Sequence, residues 1–499
     1  MLLQAEIVTI KEEQTQLKEA VVKKYLPMNK KLQAFKYLAF DFFAATAAWV
    51  LFFTFRKFYI EHDPDWYNNL IYNKKFYTGS ALIPIFWCII YYLQGNYDMP
   101  YRRSRLNEMV HTFLTSLVGV LLLFFVLLLD DEVQNYRNYY TSFAVLFSLQ
   151  FVLTAVPRFV LSSITNTRIH KRRMGFNTLL IGSNENAWKI YNEIEGLKRG
   201  NGNIFTGFIH IDERNGFSEK LLRTVPHLGE LSDLTAVIKS HHVDEIIIAL
   251  ESSEHNAIQH ILNDTLDMDV KVKLIPDVYD ILSGSVKFTS VIHAPLIEVS
   301  REVMPRWQVN AKRIFDVCFS IFVIVAFSWF YLLLALIVKL TSKGPVIFSQ
   351  ERLGLNGKAF KIYKFRSMYM DAEKNGPALS SDHDPRITPF GRFLRKTRLD
   401  EFPQFFNVLF GQMSIVGPRP ERRFFVDQIV EKAPHYKHLH RVRPGITSWG
   451  QVKFGYAENV DEMIERLKYD LLYTENMSIM IDIKIIIYTV LIVIQGRGK

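Results

Sequence analysis

The sequence predicts three parts in series: a membrane α-helical bundle, a doubly wound α/β domain, and a second α/β domain that opens with a re-entrant membrane helix. Three observations predict this. Hydrophobic residues make up 49% of the 499 residues and aromatics 14%, against 22% charged, which leans to a membrane protein with soluble parts. Four apolar runs crowd the first third, each near the roughly 17–25 residues that cross a bilayer. After them, short apolar strands alternate with helix-like stretches, the pattern of a parallel sheet.

The N-terminal part, residues 1–173, starts with a charged stretch of about 35 residues lacking an apolar core, so the first membrane helix is expected to act as the targeting signal. The apolar runs cover 37–55, 78–94, 110–129 and 139–156; the second is the shortest and contains Pro84. Arg102, Arg103 and Arg105 precede the third run, Asp130, Asp131 and Glu132 follow it, and Arg168, Lys171, Arg172 and Arg173 follow the fourth. The positive-inside rule then places both ends of the bundle in the cytoplasm. Little charge beyond Asp41 lies within the runs, so an anchor is expected rather than a transport path.

Residues 174–304 read as a Rossmann-like α/β domain. "NTLLIGS" is a buried strand ending at Gly182, "ENAWKIYNEIEGL" a helix, and "FTGFIHID", "VDEIIIAL" and "VKVKLIP" further strands. A dinucleotide loop needs Gly-x-Gly-x-x-Gly so that backbone can approach the pyrophosphate. Here the turn reads "GSNENA", with one glycine, and a structural or regulatory role is favoured.

Residues 305–499 begin with a fifth apolar run, 317–338, of 22 uncharged residues, flanked by Lys312 and Arg313 on one side and Lys339 and Lys343 on the other. Two basic flanks argue that both ends stay on one side, in a re-entrant hairpin over about 314–340 whose freed backbone is satisfied inside the protein. An ordinary fifth span is the alternative. The last run, "NMSIMIDIKIIIYTVLIVIQGRGK", holds Asp482 and Lys484 and fits either an interfacial helix or a packed terminal element.

Between these apolar segments the polar residues concentrate. The net charge of +10 suits an anionic lipid surface, nucleic acid or phosphorylated substrates. In "RLDEFPQ", Asp400 and Glu401 stand side by side, with Lys364, Arg366, Arg392, Arg395, Arg398 and Arg419 in the surrounding motifs. A carboxylate that approaches a phosphate needs strong charge neutralisation, and arginine offers a planar fork for phosphate oxygens. Magnesium takes a few carboxylates plus phosphate oxygens and water. Neighbouring helical residues point about 100° apart, so one acid can face a phosphorus and the other a metal, in either order. Cys88 and Cys318 sit in apolar runs and make neither a disulfide framework nor a cysteine zinc site credible. His435, His438 and His440 do not share one helical face, which argues against zinc there.

The motifs "SKGPVIFSQ", "KFRSM", "DPRIT", "LDEFPQFFNVLFGQMSIVGPRP" and "RPGIT", in this order after an apolar hairpin, resemble the bacterial sugar transferases, the monotopic polyprenyl-phosphate phosphoglycosyl transferases. The likeness covers residues 305–499; the preceding bundle and α/β domain look like the family's long form. The resemblance implies transfer of a sugar 1-phosphate from a UDP-sugar, UDP-glucose or UDP-galactose, to undecaprenyl phosphate, releasing UMP and starting a surface polysaccharide. It implies that Asp400 is the nucleophile and Glu401 a ligand of Mg²⁺, with Asp470 a second acid at the metal. It makes Arg419 a contact for phosphate or uridine, with Pro418 and Pro420 at the same site or simply fixing its backbone; Lys364, Arg366 and Arg398 are expected at phosphate as neutralising cations, and Arg443 is either a phosphate contact or a solvated charge. It also implies an inner-membrane protein with its catalytic domain on the cytoplasmic face, a lipid bilayer partner and no nucleic acid; the oligomeric state stays open on sequence, with a homodimer the guess for the long form. One departure matters: the family breaks its re-entrant helix at Ser-Pro, whereas here Ser328 is followed by Trp329 in "AFSWFY". Proline forces a kink and serine bends a helix only weakly, so packing must hold this break. Two rivals remain on residues alone: a sugar-nucleotide oxidoreductase or epimerase centred on residues 174–300, and a non-catalytic scaffold.

Overall fold

The computed structural model describes residues 29–495 except 63, 99–100, 102–103, 129–135, 212–215, 251–253, 267, 276–295, 300–302, 371, 373–383 and 456. The charged N-terminal stretch up to residue 28, Arg102, Arg103, Asp130, Asp131 and Glu132 therefore lie outside the described residues. The chain forms two compact units, Met1–Ile258 with Asp269–Val299, and Gln259–Met268 with Ser300–Lys499.

Among the described residues of the first unit, four helices are long and apolar enough to cross a membrane: α1 (Lys30–Phe55), α2 (Lys74–Leu93), α3 (Arg105–Leu123) and α4 (Tyr136–His170). Asn29 caps α1 by accepting from the Leu32 amide. Trp49, Phe52, Trp87, Tyr91, Val120 and Leu146 form the bundle core. Helix α4 runs through Pro157 and well past the apolar run that marks it in the sequence. It thereby carries Arg158 into the bundle, where it is 1% exposed. Arg158 forks onto Asp41 at 2.8 and 2.6 Å and lies 3.4 Å from Glu108, while Tyr97 donates to Asp41 at 2.8 Å. The bundle interior thus holds more charge than Asp41 alone, correcting the sequence expectation. Three charges from three helices are buried together because each has a partner, which is how ionised groups persist away from water.

The α/β part is a sheet of order β3-β2-β1-β4-β5-β6. Its strands are β1 (Phe176–Ile181), β2 (Asn203–His210), β3 (His227–Glu230), β4 (Glu245–Ile248), β5 (Lys271–Leu274) and β6 (Ile297–Val299). All pairs are parallel except β5 with β6. Strands β3 and β6 escape the sequence reading because they are edge strands of four and three residues with no fully buried position. At the "GSNENA" turn, Gly182 takes φ +121° and Asn184 caps α5 (Glu185–Glu195); α6 (Glu219–Thr224), α7 (Leu234–Ser240) and α8 (His255–Asp264) follow along the chain. The Ser183 hydroxyl donates to the Gly216 carbonyl at 2.6 Å and sits 2.8 Å from His210 Nδ1. Phe217 stacks on His210 with ring centroids 4.1 Å apart. The turn's polar groups are thus engaged within the protein.

The second unit opens with α9 (Arg306–Ala326) and α10 (Ser328–Thr341), bent by 65°. The break is at Phe327 (φ −104°, ψ 18°), one residue before the expected Ser328–Trp329, and Ser328 opens the second helix. The Phe327 amide still donates to Val323 and its carbonyl accepts from Tyr331, so both ladders close on one residue. The pair is a bent helix rather than a tight reversal, and it starts earlier than residue 314. Its outward side is apolar: Trp329 is 64%, Leu332 73% and Leu340 76% exposed. Its inward side is polar. Lys312 bonds the Val416 carbonyl and Asp482, Arg313 the carbonyls of Val408 and Leu409, and Asp316 accepts from the Ser414 hydroxyl and the Ile415 amide.

A hairpin follows, β7 (Ile347–Leu353) antiparallel to β8 (Ala359–Phe365). Then come α11 (Pro389–Lys396), α12 (Gln404–Leu409), β9 (Ser414–Val416), α13 (Arg423–Lys432), β10 (Gly445–Thr447), α14 (Trp449–Lys453), α15 (Val460–Glu475) and α16 (Ile479–Ile494). Strands β9 and β10 are parallel, and a Cβ on Gly417 would meet the Arg443 carbonyl oxygen at 2.3 Å, so glycine is required for that approach. The last helix packs on the domain along one side and leaves its other side exposed. Asp482 and Ile485 are buried against the domain, while Met480, Ile487, Val490 and Ile494 are exposed.

Candidate active site

Thr388 accepts from the Gly391 amide to start α11, and Pro389 fits the first turn, where its missing N–H costs nothing. The helix stops when Arg398 adopts a left-handed conformation (φ 56°). An arginine there costs about 1 kcal/mol. It redirects the chain into the 3₁₀ turn Leu399–Glu401, whose two acids are only 6% and 5% exposed. In a 3₁₀ turn, successive side chains point about 120° apart, so the two carboxylates look in different directions even more than on an α-helix.

Glu401 is ringed by cations: Lys364 Nζ at 2.8 Å, Arg398 and Arg419 each at 3.8 Å. Burial alone would raise its pKa, but Lys364, Arg398 and Arg419 outweigh burial and hold it down at about 2. Asp400 behaves in the opposite way. Burial pushes it up to about 6; Lys364 pulls against that, the Glu401 charge adds to it, and Arg395 and Arg398 oppose it. Two adjacent acids therefore have distinct characters, one permanently ionised and one a basic carboxylate.

Both line a cavity of about 680 Å³. Its basic wall comprises Arg352, Lys364, Arg366, Arg386, Arg392, Arg395, Lys396, Arg419, Arg422 and Arg466, and its acids are Asp400, Glu401 and Glu421. Ile347, Phe348, Tyr369 and Met370 add an exposed apolar rim. The balance suits a polyanion, and the rim suits an apolar tail.

Residues 307–496 match the bacterial sugar transferase family, and residues 93–276 match a CoA-binding domain family. The chain is 37% identical over 266 residues to a Klebsiella pneumoniae UDP-glucose:undecaprenyl-phosphate glucose-1-phosphate transferase, covering 53% of this chain and 57% of that protein. It is 44% identical over 187 residues to an Aeromonas hydrophila UDP-N-acetylgalactosamine-undecaprenyl-phosphate N-acetylgalactosaminephosphotransferase, covering 38% and 44%. The chain thus spans about half the length of these two relatives. It also aligns at 42% identity with 96% of the exopolysaccharide production protein PSS of Rhizobium leguminosarum bv. phaseoli, over 38% of this chain. The chain belongs to the bacterial sugar transferase family.

In this member of the family, the residues singled out from sequence around the acid pair divide into four groups. Lys364, Arg398 and Arg419 gather at Glu401. Arg366 lines the cavity, but its guanidinium is bound to the Pro345 carbonyl and to Ser342, tying the hairpin to the end of α10. Pro418, Pro420, Arg443 and Asp470 do not line it. The Pro418 carbonyl accepts from Gly445, the Pro420 carbonyl from Arg352, and Arg443 bonds the Gly411 carbonyl. Asp470 is buried, accepts from the Gly450 amide at 2.9 Å, and its carboxylate also takes the backbone N–H of Arg419 and the Ser448 hydroxyl. Its oxygens are engaged by one amide of the Gly-Pro-Arg-Pro turn and by the start of α14. The break residues Ser328 and Trp329 lie on α10, whose packing faces Phe402.

One constellation was not legible. Glu421 bonds Arg466 at 2.7 Å and Arg352 at 3.0 Å and lies 3.7 Å from Arg419. Burial resists its ionisation, but Arg466, Arg352 and Arg419 hold it below the usual carboxylate range. The signal available was modest: Glu421 directly follows Pro420, and Arg466 precedes Asp470 by one helical turn.

Proposed function

We propose that this protein transfers a sugar 1-phosphate from a UDP-sugar to undecaprenyl phosphate, releasing UMP, through a phosphosugar-aspartate at Asp400. The observation that carries this reading is the basic, buried Asp400 carboxylate facing a cation-walled cavity beside a neighbour that stays ionised. An Asp400 oxygen attacks the phosphorus that bears the sugar. The bond from that phosphorus to the bridging oxygen breaks, and UMP leaves with the electron pair. An oxygen of undecaprenyl phosphate then attacks the same phosphorus, the bond to Asp400 breaks, and the carboxylate is restored. No net proton is taken up or lost beyond the substrates' own. Lys364, Arg392, Arg395 and Arg419 supply the positive charge that lets a carboxylate approach a phosphate. A carboxylate with a pKa near 6 is a better nucleophile than one at 4 and is still mostly ionised at neutral pH.

For Mg²⁺, the fit rests on Glu401: it is always ionised, lines the cavity, and would leave the remaining positions to phosphate oxygens and water, as magnesium prefers. Bound there, the ion would neutralise charge on the transferring phosphate. Asp470 is not carried into this role, because its carboxylate holds backbone amides. The reading places the domain at the cytoplasmic face of the bacterial inner membrane, where UDP-sugars are.

The test is UMP release by purified protein with undecaprenyl phosphate, Mg²⁺ and a panel of UDP-sugars, run alongside capture of labelled enzyme from a UDP-sugar labelled in the sugar. Asp400→Asn should abolish both signals. Near-normal turnover in that variant overturns the nucleophile assignment.

A further inference from the structure

The sequence left open what holds the helix break without a proline. The answer lies around Phe402, the residue that follows the acid pair. Phe327, Phe330 and Tyr331, from the break and the first turn of α10, surround its ring at centroid distances of 6.4, 6.2 and 5.7 Å. The Tyr331 hydroxyl donates to the Phe402 carbonyl at 2.7 Å. That residue also closes the acid turn, since its amide donates to Leu399. The Tyr331 ring further meets Phe365, the residue after Lys364, at 6.0 Å.

The other half of the bent helix holds the strand that leads to Arg419. Lys312 and Asp316 on α9 grip β9, and the chain leaves β9 at Val416 straight into Gly417–Pro420 and so Arg419. One helix half fixes the turn with Asp400 and Glu401, and the other fixes the strand before Arg419. The bend between them sets where these groups meet.

On the proposed reaction, we infer that Tyr331 is a positioning residue: its hydroxyl, donated from the membrane helix to the Phe402 carbonyl, holds the acid turn where the nucleophile must stand. It touches no reacting atom. Its leverage is geometric, since reacting groups must be held to within a fraction of an ångström. The aromatic ring does the packing, and the hydroxyl fixes the turn.

Tyr331→Phe separates the two, keeping the ring and deleting the donor. The full-length protein in lipid nanodiscs is read in two ways. Amide hydrogen exchange across residues 399–406 should quicken about five- to tenfold in the variant, the size expected for one lost hydrogen bond. In the UMP-release assay kcat should fall by about five- to tenfold, while KM for the UDP-sugar moves less than twofold, because the cavity wall is untouched. Leu332→Ala, on the exposed face of the same helix, is the control and should leave both readouts at wild-type values. Unchanged exchange in Tyr331→Phe overturns the inference whatever the turnover. Faster exchange with unchanged kcat overturns it too, leaving only a structural bond. If wild-type protein releases no UMP, the reaction assigned above fails, and the exchange comparison still decides whether Tyr331 holds the turn.

Discussion

Asp400→Asn should make the protein more stable while silencing it, and the effect should switch on with pH. Burial raises Asp400 from 3.8 to about 6. The folded state therefore prefers the protonated acid more than the unfolded chain does. Below pH 3.8 the carboxyl is protonated in both states and contributes no penalty. Between 3.8 and about 6 the penalty grows, and above 6 it is fully present. At about 1.4 kcal/mol per pH unit, ionised Asp400 costs the folded state up to about 3 kcal/mol at pH 8. Glu401 shares its cations with Asp400, so part of that cost redistributes when the charge is removed, and a gain of about 1–3 kcal/mol is expected. Asparagine keeps the shape and removes the charge. Thermal unfolding of the full chain, followed by intrinsic tryptophan fluorescence at pH 5 and pH 8, measures it. The midpoint of the variant should exceed wild type at pH 8 by several degrees, with a smaller gap at pH 5. A variant less stable than wild type at pH 8, or a gain independent of pH, would refute the account and make Asp400 an ordinary stabilising ion-pair partner.

Two further outcomes follow from the same structure. The kcat/KM for the UDP-sugar should fall about tenfold per pH unit below about pH 6, as Asp400 takes up a proton, and level off above it; a profile flat from pH 5 to 8 would contradict the raised pKa. Arg158→Leu should destabilise the membrane bundle by about 3–5 kcal/mol, because Asp41 and Glu108 lose their buried cation, and the double variant Asp41→Asn/Arg158→Leu should recover part of it. Resistance of the solubilised bundle to heat or denaturant reads both, and equal stability of the single variant with wild type would remove the ion pair from the bundle's energetics.

The sequence alone determined the order of apolar helices, parallel sheet and broken apolar helix, and it singled out the acid pair among basic motifs. Hydrophobic runs near bilayer length report themselves because lipid forces helices, and strand–helix alternation reports a parallel sheet. The acid pair stood out because its basic motifs lie nearby in the chain. What the sequence could not carry was distance. Lys364 and Arg419 are separated from Glu401 by 37 and 18 positions, and only the fold brings them to 2.8 and 3.8 Å. The same folding turned Arg366, Arg443 and Asp470 to backbone partners, although their residue types suit a phosphate or a metal equally well. Arg158 was hidden because hydropathy ends a helix where charge begins, whereas a buried partner lets the helix continue. The division of labour between Asp400 and Glu401 was also tertiary. Adjacent residues share a sequence neighbourhood, but a pKa answers to burial and to the charges that packing places around each carboxylate, and those differ across one 3₁₀ step.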